Sequence, residues 1–231
     1  MYLLTHAIVL LAAPLALYYV LVDNQAGLTR LKKNIARLLF VILGEDFRVV
    51  DPQHIAPGKA YLVISNYPSF YVFLALLNLF PDGRMVAAAF ISRVPVFGFV
   101  VGRLGAIFVD PRRPRTTKQA IDRALQGGTR SVILFPEGRR SSAGEINDFQ
   151  KGLIYILRHT SLDLLPVTAN GFFQLKPANR IYLDPAASLE LVIHPPIPNA
   201  AARKMGDEEL IHKVRNQISQ AYRPSLRLCG H

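Results

Sequence analysis

The sequence predicts an α/β domain on a mixed, mostly parallel sheet of about six or seven strands flanked by helices, preceded by an N-terminal membrane-associated helical hairpin. Three observations predict it. From about residue 60 short β-rich runs alternate with helical patterns. Those runs are apolar enough to be covered on both faces, as parallel strands are. The first 45 residues join an apolar stretch to a basic amphipathic one. With 231 residues, against roughly 150 per domain, one elaborated domain is expected.

In chain order, Ala7 to Val22 carries no charged residue, and Tyr2, Leu3 and Leu4 extend the stretch toward the ~20 residues of a membrane span. No Lys or Arg precedes Arg30, so the basic start of a signal peptide is missing and a retained anchor is expected. Asp23 to Gly27 reads as a turn. The next segment places Leu28, Leu31, Ile35 and Leu38 on one helical face, with Arg30, Lys32, Lys33 and Arg37 elsewhere. Two arrangements fit: a span with its positive flank in the cytoplasm, or a hairpin within one leaflet whose cations meet lipid phosphates.

Strands are expected at Tyr61 to Ser65, Arg84 to Ala89, Ala106 to Val109, Ser131 to Phe135, Leu164 to Thr168 and Leu189 to Ile193. Helices are expected over 70–79, 96–104, 115–127, 149–160 and 207–222. Residues 173–187, with Pro177 and Pro185, read as a surface connection, and the tail past Pro224 as frayed. The predicted division is therefore an anchor over 1–45, an α/β domain over 46–222 and a flexible tail over 223–231.

Apolar residues reach 51% and charged ones 19%, which excludes a disordered or collagenous chain. The net charge of +11, with 19 arginines to 8 lysines, points to an anionic partner. No nucleic-acid motif accompanies it, so anionic phospholipid is the expected partner. The single cysteine, Cys229, rules out an intramolecular disulfide and a cysteine metal site, and no metal is expected.

The strongest local signal is Phe135-Pro136-Glu137-Gly138-Arg139-Arg140-Ser141, a strand end running into an acidic and doubly basic loop. Such a loop lies at the carboxyl edge of an open α/β sheet, where ligands bind, and guanidiniums suit phosphate. Ser65-Asn66-Tyr67-Pro68-Ser69 follows an earlier strand, Gly105 to Asp110 leads to Arg112, Arg113 and Arg115, and Leu165-Pro166-Val167 lies in a later strand. Val94-Pro95-Val96-Phe97-Gly98, Phe149-Gln150-Lys151-Gly152 and His194-Pro195-Pro196-Ile197 complete the set.

In this order the segments, from about 60 to 220, resemble the glycerophospholipid acyltransferase family of the 1-acylglycerol-3-phosphate type. The resemblance implies acyl transfer from acyl-CoA or acyl-carrier protein, with no other cofactor, to a lysophospholipid or related hydroxyl. It also implies residence on the cytoplasmic face of the inner or another cytosol-facing membrane. By the same resemblance, Asn66, Ser69, Arg112, Glu137, Gly138, Arg139, Arg140, Ser141 and Lys151 are the candidate substrate-binding residues.

The catalytic motif departs from the family. In the family pattern Asn-His-four residues-Asp, the histidine is the base and the aspartate orients it. Aligned on Ser65, Asn66 and Ser69, this chain has Tyr67 at the histidine position and Val72 at the aspartate position. A phenol of pKa near 10 holds only about one part in a thousand as phenolate at pH 7. Arg139 stands where a threonine is usual, and Pro111 precedes Arg112 where arginine is usual. Of the histidines, His54, His159 and His194 lack the spacing to substitute. Two functions are thus expected: an acyltransferase with a divergent site, or a catalytically inactive member that binds phospholipid or acyl chains as a regulator or scaffold.

Overall fold

The computed structural model describes residues 11, 14, 15, 18, 19, 22, 24–43, 47–93, 98, 102, 105–110, 112–125, 130–141, 143–177, 183, 184 and 186–225. Most of the first apolar stretch, Val94 to Phe97 and the last six residues lie outside them. Seven strands form one sheet: β1 (Phe47–Val50), β2 (Tyr61–Ser65), β3 (Arg84–Ala88), β4 (Ile107–Val109), β5 (Val132–Leu134), β6 (Asp163–Asn170) and β7 (Leu189–Ile193). Their order is β1-β7-β6-β2-β5-β3-β4. Every pairing is parallel except β6 with β7. The sheet is therefore mixed and mostly parallel, as expected.

The helices are α1 (Gln25–Leu43), α2 (Phe70–Leu79), α3 (Pro114–Leu125), α4 (Gly152–Arg158), α5 (Phe172–Leu175), α6 (Asn199–Ala202) and α7 (Asp207–Ala221). Alternate residues of β2 point to opposite faces, as the two-residue strand period requires. Tyr61 and Val63 pack toward α1 and α2, while Leu62 and Ile64 pack toward α4 and α7. All five β2 residues are buried, so this strand is covered on both sides.

Differences from the sequence reading have physical causes. β1 was not foreseen: Phe47-Arg48-Val49-Val50 is short, and its pairing to β7 is long-range. On α1 the buried residues are Leu28, Lys32, Ala36, Leu39 and Phe40, while Leu38 is exposed. The packed seam is thus turned from the apolar stripe expected through Leu38, and it carries Lys32 inward. Packing against α2 decides which face is covered, and residue type alone does not. The 173–187 connection is no surface strap throughout, since Leu175, Lys176, Leu183 and Ala187 are buried. Among the described residues no helix is long and apolar enough to cross a membrane.

Candidate functional site

The carboxyl ends of β2 and β5, adjacent in the sheet, deliver the two candidate loops to one place. After Ser65, the Asn66 side chain takes over from the backbone ladder. Its Nδ2 donates to the Ala169 carbonyl at 3.1 Å and its Oδ1 accepts from the Ala169 amide at 2.8 Å. An amide side chain thus adds one rung between β2 and β6, with donor and acceptor both satisfied while buried. Ser69, also buried, caps α2 by accepting from the Tyr71 amide at 3.4 Å.

Glu137 is buried, and its carboxylate fastens the loops. Oε1 accepts from the Tyr67 amide at 2.7 Å, and Oε2 accepts from the Asn147 amide and side-chain nitrogen, each at 2.8 Å. Ser141 donates its backbone N–H to the Tyr67 carbonyl at 3.1 Å, closing the junction from the other side. Its hydroxyl accepts from the Gly144 amide at 2.9 Å. Burial raises the Glu137 pKa, and these hydrogen bonds and Arg215 offset only part of that. Gly138 sits at φ +69°, a left-handed position that side chains resist, so the turn exposes Arg139 and Arg140 directly after the buried carboxylate.

Tyr67 stacks on Phe135, with centroids 4.2 Å apart and planes 17° from parallel. Burial raises its phenol pKa, with the Arg140 guanidinium opposing. The phenolate is therefore scarcer than in water, and the ring is held as an apolar plate. Val72 is wholly buried in the core between α1, α2 and the sheet. Tyr67 is thus poorly suited to take up a proton near pH 7, and Val72 carries no titratable group.

The described histidines are engaged elsewhere. His54 Nδ1 lies 2.7 Å from the Ile193 carbonyl, His194 Nε2 lies 2.7 Å from Thr168 Oγ1, and His159 Nδ1 lies 2.7 Å from the Tyr155 carbonyl. His212 is exposed on α7. Arg112 is exposed, its amide donating to Asp110 Oδ1 at 3.0 Å, and Lys151 is exposed at the start of α4. A hollow of about 540 Å³ adjoins the junction, lined by Glu137, Gly138, Arg139, residues 145–148 and Gln150, and not by Tyr67.

Several contributors carry no signal in the sequence. Asn147 holds Glu137 from ten residues away, and nothing near it forms a motif. Lys176 lies in the stretch read as a surface connection, yet it is buried and donates to the Pro177 carbonyl at 3.1 Å. Burial and then the charge of Arg140 lower its pKa, so Arg140 acts electrostatically on both Tyr67 and this second cation. The Phe173 ring lies close against Gly144, where a Cβ would approach it to 2.9 Å.

A family model described as Acyltransferase matches residues 46–170. Over 160 residues the chain is 27% identical to 1-acyl-sn-glycerol-3-phosphate acyltransferase BAT2, chloroplastic, of Brassica napus, covering 68% of this chain and 45% of that one. Over 175 residues it is 28% identical to the 1-acyl-sn-glycerol-3-phosphate acyltransferase of Borreliella burgdorferi, covering 74% of this chain and 64% of that one. The chain thus spans less than two thirds of either relative's length. In fold it is similar to the 1-acyl-sn-glycerophosphate (LPA) acyltransferase PlsC of Thermotoga maritima, with a TM-score of 0.79 at 21% identity over 95% of this chain and 92% of that one.

Proposed function

The chain belongs to the acyltransferase family, and within it we propose a glycerolipid acyltransferase with a divergent site at the carboxyl edge of the sheet. The observation that carries this reading is the 2.7 Å bond from the Tyr67 amide to Glu137, which joins the two motif loops beside the exposed Arg139 and Arg140. Arg140 and Lys176, with Arg139, supply the positive field for a lysophospholipid phosphate. Acyl-CoA or acyl-carrier protein supplies the thioester. The acceptor hydroxyl forms the new C–O bond as the C–S bond breaks, its proton passing to the acceptor's own phosphate and the thiolate leaving. Without a positioned base such transfer forgoes about 10²- to 10⁴-fold in rate.

Purified full-length chain given acyl thioester and lysophosphatidate is expected to release thiol, with Arg140→Ala about tenfold slower for loss of a charge-assisted contact. Equal rates would remove the proposal. A second reading, a non-catalytic binder of phospholipid or acyl chains, is favoured by the stacking of Tyr67 on Phe135 and by the burial of Val72. It expects no thiol release by the wild type and release by Tyr67→His combined with Val72→Asp. Loss of wild-type activity in Tyr67→Phe would exclude it.

Association with a cytosol-facing membrane through residues 1–45, ahead of the 46–222 domain and its 223–231 tail, belongs to the same proposal. Arg30, Lys33 and Arg37 are exposed on α1 along with Leu38 and Val41, a surface suited to anionic phospholipid. Flotation with anionic but not neutral liposomes, weakened by salt, is the expected result, and indifference to lipid charge would refute it.

A further inference from the structure

On the proposed reading of the carboxyl edge as a lysophospholipid site, we infer that Arg215 of α7 is a positioning residue for the acceptor, holding the 145–148 wall of the hollow beside Arg139. Arg215 Nη2 donates to the Ile146 carbonyl at 3.2 Å and lies 3.7 Å from Asp148 Oδ1. One end of the guanidinium thus grips both neighbours of Asn147. Asn147 in turn gives its amide and its side-chain nitrogen to Glu137 Oε2, and Glu137 Oε1 holds the Tyr67 amide. Contacts therefore run from α7 through the wall of the hollow to both motif loops. Arg215 itself does not line the hollow.

The wall needs support from outside itself. Residues 145–150 form neither helix nor strand, so no backbone ladder fixes them. The amide of Gln150 donates to the Pro136 carbonyl at 2.8 Å and Asn147 donates to Glu137, so both of these ties lead to the neighbouring loop. Arg215 adds a tie to a packed helix. Leu210, Val214 and Ile218 are buried at helical spacing along α7. Thr168 Oγ1 donates to the Ile218 carbonyl at 3.1 Å and Asn170 Nδ2 to the Ala221 carbonyl at 3.0 Å, which fastens α7 to β6. Through Arg215 the wall is thereby registered to the sheet.

Stability alone does not account for an arginine here. The Asp148 side chain is 95% exposed, so its ion pair with Arg215 contributes little to folding. Among the described residues Arg215 Nε is enclosed without a hydrogen-bond partner, a cost that a methionine would avoid. What the guanidinium supplies is placement. Its charge also opposes the rise that burial imposes on the Glu137 pKa, which favours the ionised form of the carboxylate. With the wall released, the hollow beside Arg139 loses the shape that a preformed pocket offers a head group. The loss then falls on binding of the acceptor, and not on the thioester or on the bond-making step.

The test is steady-state kinetics of the full-length chain in neutral detergent, with lysophosphatidate and acyl thioester varied in turn. Arg215→Met is expected to raise the KM for lysophosphatidate about tenfold, with the thioester KM and kcat within about twofold of wild type. Its Tm should stay within about 3 °C. Arg215→Lys should recover part of the loss, because a single nitrogen makes both contacts. Asp148→Asn, altering an exposed side chain, should show a smaller rise of the same kind and stands in if Arg215→Met does not fold. Exchange of the Asn147 amide should quicken about tenfold in Arg215→Met. An unchanged KM for lysophosphatidate, unchanged exchange at Asn147, or a loss spread over both KM values and kcat with a falling Tm would overturn the inference. Absence of thiol release by the wild type would sink the acyl-transfer reading alone. Lysophosphatidate binding in the same detergent then decides: a Kd about tenfold weaker in Arg215→Met upholds the positioning role, and equal affinity, or no binding by either, overturns it.

Discussion

The two edges of the sheet each bury a charge and treat it in opposite ways. At the carboxyl edge Glu137 has three hydrogen-bond donors within 2.8 Å, so its charge serves to lock Tyr67 and Asn147 in place. At the amino edge Lys32 is buried with Asp82 acting for it and Arg84 and Arg130 against it. The difference teaches that burial alone does not mark a site of chemistry. The Glu137 carboxylate acts as a fastener, while burial and like-charged neighbours hold the Lys32 ammonium below its ordinary pKa.

The comparison can be broken most severely at Glu137. Glu137→Ala strands the Tyr67 amide and both Asn147 donors and is expected to cost about 4 kcal/mol in urea unfolding, since hydrogen bonds to charged groups are worth about 1.5–3 kcal/mol each and do not add fully. A loss below about 1 kcal/mol would mean that the carboxylate does not fasten the loops. Asn66→Ala leaves two buried backbone groups of Ala169 unpaired and should cost about 3 kcal/mol by the same measurement.

The amino edge should respond in the other direction. With its pKa near 8, Lys32 loses its proton in the folded chain before the unfolded one does. Its penalty is therefore full below about pH 8 and relieved as pH rises toward about 10.4, where the unfolded lysine also titrates. Lys32→Met should add about 2 kcal/mol at pH 7 and flatten this rise with pH. A variant that is less stable, with the same slope, would show Lys32 to be as well satisfied as Glu137. The smallest effect belongs to Tyr67→Phe: the hydroxyl should matter by less than about 0.5 kcal/mol in stability, and the ring stacking should persist.

How much of this was legible in the sequence depended on how local each feature is. β2 and α2 fall where their patterns place them, because Tyr61 to Ser65 is a continuous apolar run and Ser69 marks a helix start. β1 depends on β7, far along the chain, and no local period announces it. In the candidate site, the strand-to-loop junctions at Asn66 and Glu137 were readable as motifs, but their use was not. Glu137 spends its oxygens on backbone and Asn147 nitrogens, a pairing that exists only once the loops meet. Lys32 reads as one of the cations of an amphipathic segment facing lipid phosphates and Lys176 lies in a stretch that reads as a surface connection, because one sequence position cannot say which side of a helix, or of a crossing chain, the rest of the fold will cover.

The burial of Val72 gives the exchange of the two motif residues a direction. Aspartate at 72 with tyrosine still at 67 would set a bare carboxylate in an oily interior without an imidazole to receive it, a strongly disfavoured intermediate. A chain regaining the family pair one codon at a time must acquire the histidine before the acid, and one shedding the pair must lose the acid first. Either journey thus crosses the same stepping stone, histidine beside valine, with the order of its steps set by solvation.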